Sequence, residues 1–461
     1  MPTADPILSP LPSALPTVTR VARIPAGFSA AGATAGIKAS GKPDFVLIVA
    51  QDGPVSAAAV FTPNRVAAAP VRLSRANLQA TGGTGADGAT AGFARAVIST
   101  SGSANAATGP DGDADQAAIG RAVAGAVGAA PEQVLHLSTG VIGVRLPLAK
   151  VTATVELVAA GGLAATDEAL ADAAVALCTT DSVAKMATVT VCAPTADGAG
   201  SVSITVTGIC KGVGMIHPRM ATMLSILLTD ATAQPGTLRE ILRGAASRTW
   251  DQLSVDGDTS TNDTVYLLAS GRAGAAAAEA SPAARAALAQ AVEAVARDLA
   301  RQQARDGEGA TSLLTCQVTG AADDADARAV ARAVISSSLV KAAIHGKDAN
   351  WGRIAGAAGN ALVAERAVLE AAGLSAGEAA ARASTPARVD PATLRIAVAG
   401  LLAYDGRTGG PTGIDKTAAR VAMESEDVLV RVDLGLGDGS GEAFGCPLTE
   451  AYVKENSEYT S

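Results

Sequence analysis

Around residue 222 the chain sets a threonine where self-acylation becomes available. The run Lys211-Gly212-Val213-Gly214-Met215-Ile216-His217-Pro218-Arg219-Met220-Ala221-Thr222-Met223-Leu224 follows a strand-like segment and precedes an apolar, helix-like run over 224–228. A glycine-loosened loop that delivers a small residue and then threonine suits self-cleavage. The Thr222 hydroxyl attacks the Ala221 carbonyl, an N→O acyl shift follows, and water releases the ester. The new α-amine then acts as base for its own hydroxyl. On pattern alone the plainer use of Thr222 is as a helix cap.

Two more stretches carry potential chemistry. In Ser138-Thr139-Gly140-Val141-Ile142-Gly143, a threonine hydroxyl beside a glycine N–H offers two donors to an oxyanion. Its plainer use is a glycine turn after a strand over 134–137. The C-terminal run 452–461 holds two of the four tyrosines, which predicts that this tail packs, although chain ends are commonly disordered.

Other motifs fail on their own requirements. Gly435-Leu436-Gly437-Asp438-Gly439-Ser440 has Ser in place of the third glycine of a dinucleotide loop and sits between strand patterns, so it is expected to be a hairpin turn. His345-Gly346-Lys347-Asp348 lacks the Ser or Thr that follows the lysine of a phosphate loop. The acidic run 256–263 has Thr261 where a calcium loop needs Gly and Leu267 where it needs Glu. It is expected to be a polar loop bonding its own backbone. Five cysteines (178, 192, 210, 316 and 446) without a CxxC pair, and three scattered histidines (136, 217 and 345), point to reduced thiols and away from a zinc site or a histidine-based triad.

The elements that must position these residues alternate between the two periodicities. Residues 186–192 and 202–208 alternate apolar and polar around a turn, which predicts a hairpin. Ser281-Pro282 opens a helix that ends near Gly307 and Gly309. A strand is predicted over 311–318, a helix over 326–344, and strands over 428–434 and 442–446. The fold class expected is α/β: a layered sandwich with largely antiparallel sheets. Residues 81–92 and 273–287 read as insertions or surface padding.

Composition bounds the rest. At 461 residues the chain exceeds one ordinary core; about 150 residues per domain suggests two or three packing units. Apolar residues make up 48% and aromatics 2%, so small side chains must fill the core by close approach. The net charge of −8 and the lack of a basic run argue against nucleic acid or anionic membrane as partners. The N-terminus has no basic-then-apolar signal, and no stretch approaches the roughly 18 apolar residues of a membrane span, so a cytoplasmic location is expected. Four prolines among residues 6–16 make the first twenty residues a loose tail by expectation.

Together these stretches resemble one family, glutamate N-acetyltransferase (ornithine acetyltransferase) of arginine biosynthesis. The resemblance runs through Ala35-Gly36-Ile37-Lys38, Val60-Phe61-Thr62-Pro63-Asn64-Arg65-Val66 and Ser101-Gly102-Ser103-Ala104-Asn105-Ala106. It continues through 138–143, Thr179-Thr180-Asp181, 211–224, 254–264, Asp306-Gly307-Glu308-Gly309-Ala310-Thr311, Asp348-Ala349-Asn350-Trp351-Gly352-Arg353, 433–446 and the tail. The Met-Ala-Thr-Met-Leu core of 211–224 is its most specific part. Ser103, Ser312, Pro447 and Ala451 depart from the family pattern.

The resemblance implies cleavage between Ala221 and Thr222 into an α chain (21–221 after the loose tail 1–20) and a β chain (222–461), assembled as an α2β2 heterotetramer. It makes Thr222 the nucleophile and Thr139 with Gly140 the oxyanion hole. Substrate contacts fall on Thr179 or its neighbour Thr180, Lys211, Thr222, Glu308, Asn456 and Ser461. A lysine suits a carboxylate and a glutamate suits an ammonium, as an amino-acid site requires. The implied reaction moves the acetyl group of N2-acetylornithine to glutamate with no metal, nucleotide or prosthetic group; acetyl-CoA enters as a candidate second donor. Two rivals stand beside it: a self-processing peptidase or amidase, with water as acceptor, and a non-enzymatic small-molecule-binding protein.

Overall fold

The computed structural model describes residues 6–8, 11, 14–82, 90–217 and 223–457. They form three sheets and thirteen α-helices. The four-stranded sheet runs in the order Phe28–Ala33, Phe45–Ala50, Ala96–Ser103, Val134–Val141. Phe45, Leu47 and Val49 turn to one face, where they pack on helices Gly109–Val127 and Leu148–Gly161. Val46 and Ile48 turn to the other, as the two-residue period of a strand requires.

That second face looks onto the six-stranded sheet, ordered Ala91–Ala94, Val55–Phe61, Thr264–Ala269, Leu224–Thr229, Ser201–Lys211, Lys185–Pro194. Ala57, Ala59, Ile226 and Tyr266 meet it in one core, which also takes in helices Ala69–Gly82 and Asp167–Leu177. The opposite face, with Val60, Val206, Leu227 and Leu267, packs on helices Pro235–Arg248 and Pro282–Arg305. The result is an α/β sandwich with two facing sheets and a helix layer outside each. A seven-stranded sheet, in which Leu313–Ala321 lies between Gly439–Gly445 and Asp427–Asp433, builds a separate core with helix Asp324–Ser336. Most strand pairings are antiparallel. The parallel ones include Leu224–Thr229 with Thr264–Ala269 and Ala96–Ser103 with Val134–Val141. Among the described residues no helix is long and apolar enough to cross a membrane.

The hairpin forms as expected, Lys185 to Pro194 pairing with Cys210 to Ser201. Helix Pro282–Arg305 starts at Ser281, whose hydroxyl accepts from the Ala284 N–H at 3.2 Å. Four local expectations are corrected. The run 224–228 is a strand, because Leu224–Thr229 is buried on both faces between two neighbours and so needs no polar alternation. The helix expected over 326–344 breaks at Ser337, which caps a second helix, Ser338–His345, by accepting from the Val340 N–H. The loop 434–438 is no hairpin turn: it crosses the end of Leu313–Ala321, which separates the two strands it joins. Within 81–92, Ala91–Ala94 is an edge strand paired with Val55–Phe61 rather than padding. Of the first twenty residues, Ile7 is buried, the Leu11 N–H donates to Gln317 Oε1 at 2.9 Å, and Thr19 bridges to Thr188.

Candidate active site

Thr139 and Gly140 lie inside a strand rather than in a turn after it. Val134–Val141 runs beside Ala96–Ser103 with a register shift at Gly102 and Ser103, which bends the strand end. Gly140 has φ +131°, and a Cβ there would fall 2.3 Å from the Gly102 carbonyl carbon, so only glycine lets the strands close. Thr139 Oγ1 lies 3.0 Å from Lys211 Nζ. An ammonium can only donate, so Thr139 accepts here and its own proton stays available for a third group. Lys211 ends strand Ser201–Lys211 opposite Leu224, the first residue of the next strand.

The strand end is tied down from behind. The buried Asn262 amide donates to Ala104 O at 2.7 Å and Ser138 O at 2.8 Å, and its oxygen accepts from Thr261 Oγ1 at 2.7 Å. Ser138 Oγ donates to Ala104 O at 2.6 Å. This joins the acidic run 256–263 to the predicted oxyanion segment. Asp256 accepts from the Met215 and Ile216 N–H groups at 2.5 and 2.9 Å, and from its own loop through Asp258 N. Burial pushes its carboxyl above the usual range despite these donors. The loop thus bonds its own backbone as expected, and also holds the glycine-rich loop after Lys211.

Glu308 faces Lys211 and Thr139 from across the cleft. Its Oε1 accepts from Thr180 Oγ1 at 3.2 Å and its Oε2 from Asn456 Nδ2 at 2.9 Å, while its N–H donates to Val213 O at 2.8 Å. A Cβ on Gly214 would lie 2.2 Å from Glu308 Oε2, so the second glycine of Lys-Gly-Val-Gly makes room for this carboxylate. Asn456 comes from helix Glu450–Ser457, seated by Thr449 Oγ1 donating to Gly309 O at 2.8 Å. Tyr452 is half-buried. Burial, then the charges of Asp256 and Glu308, push its phenol up, and its hydroxyl bonds Asp256.

Seven predicted residues, Thr139, Gly140, Thr179, Thr180, Lys211, Glu308 and Asn456, line one cavity of about 310 Å³. Ala221, Thr222, Ser461 and Tyr459 lie outside the described residues. The described chain resumes at Met223, whose carbonyl accepts from the Thr264 N–H at 2.8 Å. Sequence reasoning noticed the runs containing Asn262, Asp181 and Met215 but gave those residues no role; Asn262 and Met215 line the cavity, and Asp181 lies behind it. Only their neighbours across the fold reveal their use. Among the described residues no group of three or more His, Cys, Asp and Glu could hold a metal ion. His136 is buried, which lowers it to about 3 and keeps the ring neutral beside Gln116.

Residues 29–461 match the ArgJ family model. The arginine biosynthesis bifunctional protein ArgJ of Thermosynechococcus vestitus is 44% identical over 440 residues, covering 94% of this chain and 96% of that protein. That of Thermus thermophilus is 41% identical over 439 residues, covering 95% and 99%. Among solved structures, ornithine acetyltransferase of Mycobacterium tuberculosis complexed with ornithine shares 38% identity at a TM-score of 0.38, covering 44% of this chain and 99% of that one. ArgJ of Bacillus halodurans shares 37% identity at a TM-score of 0.43, covering 51% and 99%.

Proposed function

The chain belongs to the ArgJ family, and from that premise we propose that it moves the acetyl group of N2-acetylornithine to glutamate through an ester on Thr222. The observation that carries the reading is the single cavity that gathers Thr139, Gly140, Thr179, Thr180, Lys211, Glu308 and Asn456 from well-separated segments of the chain. Chain connectivity supports the nucleophile. Thr222 directly precedes Met223 in sequence, and the next residue, Leu224, pairs with Lys211 at the cleft.

Scission between Ala221 and Thr222 frees the α-amine that takes the Thr222 hydroxyl proton. The oxygen attacks the acetyl carbonyl of N2-acetylornithine. Thr139, its oxygen engaged by Lys211, donates its proton to the developing oxyanion together with the Gly140 N–H. The C–N bond breaks, the proton passes to the leaving amine, and ornithine departs. The glutamate amine then attacks the Thr222 ester and regenerates the hydroxyl. Glu308 suits the substrate's ammonium, and Lys211 a carboxylate. The exchange balances with substrates and threonine alone. The reading includes acetyl-CoA as a candidate second donor, an α2β2 assembly of the 1–221 and 222–461 chains, and a cytoplasmic location.

Two measurements test it. Mass spectrometry of the purified protein is expected to show a new N-terminus at Thr222; one intact, active chain would remove self-cleavage from the mechanism. Turnover is expected to require glutamate, with N2-acetylornithine and acetyl-CoA compared as donors. Release of free acetate at the same rate without glutamate would replace the transferase with an amidase.

A further inference from the structure

Behind the cleft lies a buried group of charges that the transfer step does not use. Asp181 and Lys185 have fully buried side chains, and Asp306 is 11% exposed. Lys185 Nζ donates to Asp181 Oδ1 at 2.7 Å and to Asp306 Oδ2 at 2.6 Å. The other bonds of this group land on segments that bear cleft residues. Asp181 accepts from the Gly212 N–H at 2.8 Å, next to Lys211, and from the Thr179 N–H at 3.0 Å. Asp306 accepts from the Ser182 N–H at 3.1 Å and begins the turn that carries Glu308.

Packing alone does not call for such a group. Withdrawing three charges from water is costly, and apolar residues of similar volume commonly serve a core as well or better. What they cannot do is fix backbone N–H groups from different segments to one rigid carboxylate. We propose that Asp181 is a positioning residue for acetyl transfer: through Gly212, Thr179 and the Lys185–Asp306 link it sets the spacing between Lys211 and Glu308 across the boundary created at Thr222. The inference rests on the transferase reading of the cleft.

The charges around Asp181 give a signature that simple scaffolding lacks. It faces Lys185 at the start of the strand that follows it and Lys211 at the end of the strand paired with that one, with Lys38, Cys178 and Cys210 farther off and Asp306 beyond Lys185. Burial pushes its carboxyl up, but Lys211, Lys185 and the Gly212 N–H outweigh burial and hold it down at about 2. Replacing Lys185 removes a cation and leaves Asp306 as an uncompensated neighbour, so Asp181 must titrate at higher pH.

The test is steady-state transfer from N2-acetylornithine to glutamate by the cleaved enzyme, from pH 5 to 9. Asp181→Asn is expected to lose roughly 10²-fold in kcat/KM, the scale of an ångström-sized misplacement, with KM rising. Lys185→Met is expected to add an ionisation to the acid limb beyond the one that the Thr222 α-amine gives the wild type, and Lys185→Arg to remove that addition. Should Lys185→Met not fold, Asp306→Asn replaces it: the amide oxygen still accepts from Ser182, the charge is gone, and KM must still rise. Wild-type kinetics in Asp181→Asn, or an acid limb in Lys185→Met that matches the wild type's, would overturn the proposal. A wild type unable to transfer would overturn the transferase reading instead, and calorimetric ornithine binding by wild type and Asp181→Asn would then still decide on the spacing.

Discussion

The two sides of the cleft are held by different means. Thr139 and Lys211 stand on strands, Thr139 only 8% exposed, within ladders that fix their backbones by register. Asn456 stands on helix Glu450–Ser457, which fully buries none of its residues, Tyr452 being half-buried. A few polar contacts seat that helix, chiefly Asn456 on Glu308 and Thr449 on Gly309. Groups that meet a transition state must be placed to a fraction of an ångström, and strands inside a sandwich provide that. A group that only helps to hold substrate tolerates a looser mount. The contrast predicts that damage on the strand side falls on kcat and damage on the helix side falls on KM.

The largest effect is expected at Thr222. Thr222→Ala leaves no hydroxyl to attack either carbonyl, so cleavage and transfer are both lost, while Thr222→Ser keeps some of each. A gel and a transfer assay check this, and rapid transfer by the alanine variant would remove Thr222 from the reaction. Next comes Thr139→Ala, expected to lower kcat by about 10²–10³, the usual loss for one oxyanion donor. An unchanged kcat would leave 138–143 as structure only.

The buried charges behind the strands give the third test, on stability. Asp181 is held at about 2 against an ordinary 3.8. Its contribution is therefore complete above about pH 4 and lost as pH falls through 2, amounting to about 2 kcal/mol. Denaturant titrations at pH 5 and 2.5 are expected to show wild type losing more stability on acidification than Asp181→Asn; parallel losses would contradict that assignment. The smallest effect is on the helix side. Asn456→Ala removes one hydrogen bond to a carboxylate at an exposed position, and KM is expected to rise about tenfold, for about 1.5 kcal/mol, with kcat nearly unchanged. Deleting 458–461 is expected to act the same way and leave cleavage largely intact. A fall in kcat with KM unchanged in either variant would erase the distinction between the two sides.

Much was fixed by local sequence. The 185–211 hairpin follows from alternation around a turn, and the start of Pro282–Arg305 from Ser281-Pro282, because both depend on neighbours a few residues away. Thr139 and Gly140 stood out in their own stretch as candidate donors, but the other cleft residues were named from the resemblance and not from spacing, since hundreds of positions separate Thr139 from Asn456. Tertiary contact alone decided the rest. Leu224–Thr229 became a strand because its partners bury both its faces, and a five-residue run with four apolar residues cannot announce that. Lys211 came to rest on the Thr139 hydroxyl, Gly214 opened space for Glu308, and Asp181 found two backbone N–H groups and a buried lysine. Each is an encounter between distant segments. The physical reason is that a side chain's partners are set by which strands pair and which loops cross, and that choice is made by burial of the whole chain rather than by any one stretch of it.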